Sequence, residues 1–355
     1  MRVRSIFAFL LCVLVFCGCS DSNEGGDGKN IKNYIAPETS PYHYPEGHSM
    51  EGLLVRGATK DNVVKYSFDF IYKPLADRPV RVHFYLPNTA DVTRCPILFG
   101  FHGAERVATN MTTPWSSYAD NYGFVVIAPE FPNSETKSKW GYDLGFGASH
   151  YQYGNIMNSS VCNSEELWSY NIIEALFDHF KECVGGKQKN YRMYGMSAGG
   201  QFVCRYVMAM PHARLERACA ASPSSWAYPY PEGLTNDAGN VYGWPYSAKN
   251  TSFANDDAMR VFLQKKLLLM CGVNDSDENS SSLDKNAGAM AQGKHRYERM
   301  LNFYDACQKR ATQLGITCAF EMRAVEGVAH SNKGIINGDG KGNDAHSWLF
   351  SDLIK

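Results

Sequence analysis

The chain of 355 residues carries 35 Lys and Arg against 36 Asp and Glu, a formal net charge of −1, with 44% hydrophobic and 20% charged residues. That balance excludes a basic field for nucleic acid and excludes a charged, disordered polyelectrolyte, while allowing a large apolar core. Length alone leaves one or two domains open, since single α/β domains of 250 residues and more are common.

At the N-terminus Arg2 and Arg4 precede an apolar run from Ile6 to Gly18 that is too short to anchor stably in a bilayer. Residues 1–18 therefore read as a signal peptide removed on export. The run closes in Val15-Phe16-Cys17-Gly18-Cys19-Ser20, which is similar to a bacterial lipoprotein cleavage box with Cys19 as the lipidated residue. The expectation is a bacterial lipoprotein, periplasmic or at the cell surface, with a membrane tether through Cys19; simple cleavage would make it secreted. Residues 19–47 are rich in Gly, Ser, Asn, Asp and Pro and read as a flexible linker, because so few aliphatic side chains cannot offset the entropy of ordering. Residues 48–355 then form one domain.

From Val63 the run VVKYSFDFIY alternates with period two, turns at LADRP and continues in VRVHFYL, which predicts an opening antiparallel hairpin. The style then changes. PILFGF (96–101), FVVIAP (124–129), YRMYG (191–195), RACAAS (217–222), LLLMCG (267–272) and CAFEMRAV (318–325) are short apolar runs bounded by turn residues, as strands covered on both faces should be. Helical patterns lie between them, at about Trp115 to Tyr122, Ser164 to Cys183, Ala198 to Met210, Lys294 to Leu314 and Asp344 to Ile354. Ser164 is the expected N-cap of the second and Gly185-Gly186 its stop. Alternating units of this kind predict a doubly wound α/β fold with a mostly parallel sheet.

Cysteines beyond the signal are Cys95, Cys162, Cys183, Cys204, Cys219, Cys271, Cys307 and Cys318. Cys95, Cys204, Cys219 and Cys271 sit in apolar patterns and are expected as buried thiols. Cys162 with Cys183, and Cys307 with Cys318, are the candidate disulfides. No CxxC pair occurs, which argues against structural zinc.

Tyr194-Gly195-Met196-Ser197-Ala198-Gly199-Gly200 is a G-x-S-x-G sequence set after a predicted strand and before a predicted helix. Such a turn projects a strained serine from the carboxyl end of a sheet, and it needs small neighbours because strand and helix approach closely. Ser197 is the candidate nucleophile. The N–H of Ala198, opening the helix, would face a developing oxyanion. A second donor is expected from the loop Phe99-Gly100-Phe101-His102-Gly103-Ala104, as the N–H of Gly103 or Ala104, with His102 shaping the loop. Downstream, Gly272-Val273-Asn274-Asp275-Ser276-Asp277 follows one core strand and Glu326-Gly327-Val328-Ala329-His330-Ser331 follows the last. The order Ser, Asp, His makes His330 the candidate base and Asp275 the favoured acid, with Asp277 the alternative. A calcium loop at Asp275, Asp277 and Asn279 is disfavoured, because Ser280 replaces the required glycine and Asn286 the bidentate glutamate. No metal and no cofactor are implied.

Taken together, the FGFHGA loop, GMSAGGQFVCRYVMAMP, LLLMCGVNDSD and GVAHS resemble the extracellular esterase branch of the α/β hydrolases, which includes polyhydroxybutyrate depolymerase-like proteins, feruloyl esterases and acetyl xylan esterases. The resemblance spans roughly Val80 to the C-terminus and implies nucleophile, acid and base roles for Ser197, Asp275 and His330. It departs at Ala104, where many members carry cysteine, and in long insertions near 131–163 and 222–260. The second insertion holds Trp226, Tyr228, Tyr230, Tyr242, Trp244, Tyr246 and Phe253. It is expected as a lid or substrate platform, with Trp226, Tyr228 and Trp244 meeting a sugar ring or feruloyl group. Trp140, Tyr142, Phe146, Tyr151 and Tyr153 of the first insertion would form the opposite wall. The expected function is serine ester hydrolysis, on acetyl or feruloyl groups linked to plant polysaccharide. A serine peptidase of the same fold, a polyhydroxyalkanoate depolymerase and a non-catalytic binding protein are the alternatives.

Overall fold

The short apolar runs become nine strands of a single sheet. They are β1 (Tyr34–Ile35), β2 (Ser67–Tyr72), β3 (Val80–Tyr85), β4 (Ile97–Phe101), β5 (Val125–Glu130), β6 (Tyr191–Met196), β7 (Leu215–Ala221), β8 (Leu267–Gly272) and β9 (Glu321–Val325). A computed structural model describes residues 33–35, 67–87 and 91–354. The signal peptide at 1–18, Cys19, most of the 19–47 stretch and residues 63–66 lie outside the described residues.

The strand order is β1-β2-β3-β5-β4-β6-β7-β8-β9. β1 through β3 and then β5 pair antiparallel, forming the expected opening hairpin and its edge. From β5 onward each pairing is parallel. The chain runs outward from β4 to β5 and then returns to place β6 on the other side of β4. A crevice opens at such a reversal, beyond the carboxyl ends of the two strands on either side of it, because their connections leave in opposite directions.

Residues such as Leu98, Ile127, Met193, Ala220 and Leu269 are completely buried, as strands covered on both faces require. α1 (Thr109–Tyr122), α6 (Asn332–Asn337) and α7 (Ala345–Leu349) gather on one face, where Trp115 meets Tyr194 of β6. α2 (Asn171–Val184), α3 (Ala198–Ala209), α4 (Asp256–Leu263) and α5 (Arg296–Gln313) cover the other, where Phe177 meets Tyr191. Asn255, Ser331 and Asp344 cap α4, α6 and α7 through their side-chain oxygens, each cap supporting an otherwise orphaned N–H by about 1 kcal/mol.

Several expectations are corrected. Tyr34–Ile35, inside the stretch read as linker, pairs with β2. Buried Tyr34 ring-packs on Phe70, which the composition of its neighbours conceals. Ser164 opens only a 3-10 turn, Glu165–Leu167, and makes no side-chain cap; the α-helix starts at Asn171. The break is set by Trp168, which is extended and buried with its indole N–H donating to the Asn163 oxygen at 3.1 Å. Gly185 does stop α2 in a left-handed conformation, φ 65°. The closing helix ends early because Phe350 leaves it to stack on Phe124, with ring centroids 3.8 Å apart. Neither Cys162 with Cys183 nor Cys307 with Cys318 is bonded; Cys183 Sγ lies 3.5 Å from His179 Nε2 instead.

The 222–260 insertion, expected as a lid or substrate platform, is anchored to the domain. Buried Arg205 donates to the oxygens of Pro245 and Ser225, and buried Arg299 donates to the Ser224 oxygen, so two guanidiniums from the helical layer hold its backbone down. Gln292 completes the anchorage, accepting from the Trp226 N–H and donating to the Trp226 oxygen, both at 2.8 Å.

Candidate active site

β6 delivers Ser197 into the crevice. The residue has φ 59° and ψ −115°, a conformation that costs a non-glycine residue roughly 1–3 kcal/mol and survives only where its surroundings impose it. The imposition is visible in the flanking glycines. A Cβ on Gly195 would stand 2.2 Å from the Gly199 oxygen, and one on Gly199 would stand 2.0 Å from the Phe101 oxygen. Strand, turn, helix and the loop after β4 are in backbone contact, and only hydrogen fits between them. The Ser197 N–H donates to the Ala221 oxygen at 2.8 Å, tying the turn to β7. Ser197 itself is half-buried, and among the described residues its hydroxyl makes no hydrogen bond.

The acid and base loops are brought together by a similar exclusion. A Cβ on Gly272 would meet the Val328 oxygen at 2.1 Å, so the loop after β8 lies directly on the loop after β9. Asn274 N–H donates to Val328 O at 2.9 Å. The two side chains that result are Asp275 and His330, joined from Nδ1 to Oδ2 at 2.7 Å. Arg296, buried at the start of α5, reaches the second carboxylate oxygen at 3.3 Å and is itself held by the Ser282 oxygen at 2.6 Å. Burial alone would raise the Asp275 carboxyl; the hydrogen bond and charge of His330 and the Arg296 guanidinium outweigh it and hold the group below the ordinary carboxylate range. Asp277, the alternative, is exposed and accepts the N–H of Asn279. It is a turn residue.

Asn332, two residues after His330 and the first residue of α6, ties this loop to the nucleophile strand. Its oxygen accepts from buried Tyr194, three residues before Ser197, at 2.8 Å, and its amide donates to the Asn110 oxygen at 2.8 Å. That carbonyl is available because residue four further along α1 is Pro114, which has no N–H to give it. A cleft of about 320 Å³ is lined by Glu105, Thr109, Met111, Met196, Asn332 and Lys333, which include the residue before Ser197 and the second residue after His330. A hollow of about 460 Å³ bounded by Trp168, Met210 and Phe253 lies at the far end of α3, roughly 18 Å along the helix axis from Ser197 at 1.5 Å per residue. It touches none of these groups.

Ala198 is the first residue of α3, where N–H groups have no partner inside the helix. Gly103 and Ala104 follow β4 at the same crevice, and among the described residues neither N–H makes a hydrogen bond. His102 is completely buried, with Nδ1 2.9 Å from the Gly103 oxygen and Nε2 3.0 Å from the Phe131 N–H. Both ring nitrogens are engaged by backbone, in keeping with a loop-shaping residue. His346, the later histidine, sits against Tyr122 and Asp344 on α7.

Of the expected aromatic surface, part is buried in the domain and part, including Trp140, Tyr153 and Tyr246, is half-exposed. Trp226 is completely buried and stacks on Phe303 at 4.7 Å, and Tyr228 packs edge-on against the same ring. Trp244 is half-buried, donating to the Tyr153 oxygen at 3.2 Å. Of the opposite wall, Tyr142, Phe146 and Tyr151 are buried as well. Aromatic residues between Pro, Gly and Asn serve here to close an insertion onto the domain, since loops of this length need a core of their own. Sequence reasoning missed Arg296 and Asn332, which on a helix look like ordinary solvent-facing residues, and it read Tyr151 as a wall residue rather than as the partner of the His102 oxygen.

No family model and no curated protein matches the chain. Among solved structures it is similar to poly(aspartic acid) hydrolase-1 from Sphingomonas sp. KT-1, with 31% identity and a TM-score of 0.65 over 76% of this chain and 94% of that one. It is also similar to a poly(3-hydroxybutyrate) depolymerase from Bordetella parapertussis, with 22% identity and a TM-score of 0.66 over 81% and 91%. With a strained serine at the switch point of a mostly parallel sheet and an Asp–His pair on the next loops, the chain belongs to the α/β-hydrolase superfamily.

Proposed function

We propose that this chain is a carboxylic ester hydrolase that works through an acyl-enzyme on Ser197. The 2.7 Å bond between His330 and Asp275 carries the reading. An ionised carboxylate can only accept, so the imidazole proton sits on Nδ1 and Nε2 keeps its lone pair. Nε2 takes the hydroxyl proton as Ser197 Oγ attacks the ester carbonyl, and Asp275 stabilises the imidazolium that forms. The N–H of Ala198 with that of Gly103 or Ala104 receives the oxyanion. The imidazolium then protonates the departing alcohol, and water repeats the cycle on the acyl-enzyme. Hydrolysis of a short-chain nitrophenyl ester should fall on the order of 10⁴-fold or more in Ser197→Ala. Full activity in that variant would sink the proposal.

Trp226 and Tyr228 are turned into the core, which removes two of the aromatic faces a feruloyl ring would stack on. That favours acetyl over feruloyl as the acyl group of a polysaccharide ester. Likeness to a polyhydroxybutyrate depolymerase favours short 3-hydroxyacyl polyester as a second reading. Release of acid from acetylated xylan, feruloylated arabinoxylan, polyhydroxybutyrate and poly(aspartic acid), measured side by side, decides among them. A tether through Cys19 remains part of the proposal, and metabolic labelling with a palmitate analogue, lost in Cys19→Ala, is its check.

A further inference from the structure

One side chain of the 131–163 insertion reaches the peptide units that flank Gly103. The hydroxyl of Tyr151, which is completely buried, donates to the His102 oxygen at 2.8 Å. A trans peptide is planar, with its oxygen and its N–H on opposite edges, so fixing the His102 oxygen fixes the direction of the Gly103 N–H. The following peptide is held in the same manner. Its Gly103 oxygen receives His102 Nδ1 at 2.9 Å and the Arg106 N–H at 3.3 Å, which sets the Ala104 N–H.

His102 has one tautomer available for this. Its Nε2 meets the Phe131 N–H, an obligate donor, so Nε2 is bare and the proton sits on Nδ1. Burial and then the neighbouring Arg106 push the imidazole down to about 3, and it stays neutral. Arg106 closes the assembly. Its guanidinium lies 4.4 Å from the centre of the Tyr151 ring and donates to the Phe131 oxygen at 2.9 Å, while the Tyr151 ring lies 4.7 Å from that of His102.

We propose that Tyr151 is a positioning residue that braces the oxyanion-binding N–H groups of Gly103 and Ala104 from behind, so that the 131–163 insertion tunes the reaction without touching substrate. This rests on the ester hydrolase reading. A tyrosine that merely filled space would lose little when its hydroxyl alone is removed, because the ring and its stacking remain.

The test compares wild type, Ser197→Ala and Tyr151→Phe by fluorophosphonate labelling, by kcat and KM on a nitrophenyl acetate, by inhibition with a trifluoromethyl ketone and by Tm. Removing an oxyanion donor outright costs on the order of 10²–10³-fold, so loosening one should lower kcat by about tenfold in Tyr151→Phe. Ketone affinity, which also depends on the oxyanion contacts, should fall in parallel, with KM unchanged and Tm lowered only by the loss of one buried hydrogen bond. Tyr142→Phe removes a buried hydroxyl of the same insertion that donates to Asp69 of β2 rather than to His102, and it should lower Tm while leaving kcat alone. Wild-type kcat and ketone affinity in Tyr151→Phe would overturn the brace and leave the hydrolase reading standing. So would an equal loss of kcat in Tyr142→Phe. If wild type itself is not labelled at Ser197, the hydrolase reading fails first and takes this inference with it.

Discussion

Ser197 holds its positive φ because backbone closes on it from three sides, and that constraint has a measurable consequence. Ser197→Ala keeps the strain, whereas Ser197→Gly relieves it. Relief of roughly 1–3 kcal/mol exceeds the extra chain entropy that glycine loses on folding, about 0.5–1 kcal/mol, so urea unfolding should find Ser197→Gly the more stable of two inactive variants. Equal stability would mean that the turn is not strained. Asp275 makes a second residue-scale statement. Its folded carboxyl titrates below the ordinary range, so its contribution to stability is complete above the unfolded carboxylate value, about 3.9, and is lost as pH falls through the lower folded value. Thermal melts should therefore show an acid-side loss of Tm in wild type that is shallower in Asp275→Asn. The same variant should retain its fold while kcat drops by about 10⁴-fold, because an amide no longer selects the imidazole tautomer.

At the scale of elements, the site depends on how loops after β4, β6, β8 and β9 are tied to one another. Asn332 is the tie between the His330 loop and the nucleophile strand, and it works because Pro114 leaves a carbonyl of α1 unclaimed. Asn332→Ala strands the buried Tyr194 hydroxyl, which should cost about 1–3 kcal/mol in urea unfolding. Activity should fall with it through a looser His330. If Asn332→Ala unfolds like wild type, the Tyr194 contact is not a stabilising one. Element boundaries show what local pattern can and cannot reveal. Gly185 ended α2 as expected, because a left-handed stop is written in the residue itself. The start of α2 was misplaced because Trp168 found a burial site supplied by Phe253, 85 positions along the chain.

Over the whole molecule, the aromatic insertions are part of the body. Trp226→Ala should therefore destabilise by about 3–5 kcal/mol, the cost of emptying a buried aromatic site, and leave KM for soluble esters unchanged. A normal Tm with weakened binding of polymeric substrate would restore these residues to a substrate platform. The insertions are held by buried Arg205 and Arg299 bonded to carbonyl oxygens. Such contacts join residues that are remote in sequence and leave no periodic mark.

The doubly wound architecture, the strained turn at Ser197 and the loops that carry Asp275 and His330 were legible in the amino-acid sequence, because they follow from local signals: apolar runs bounded by turn residues, and glycines where two backbones touch. Asp275 could be preferred over Asp277 but not separated from it, since both lie within three residues on one loop. Folding pairs Asp275 rather than Asp277 with His330, by laying Gly272 against Val328 and burying Arg296 beside the carboxylate. Tyr151 behind His102, Asn332 beside Tyr194 and the burial of Trp226 were likewise settled by tertiary structure alone. The physical reason is common to all of them: which side chains meet across loops is determined by strand order and by the volume left between layers, and neither quantity is carried by any short stretch of chain.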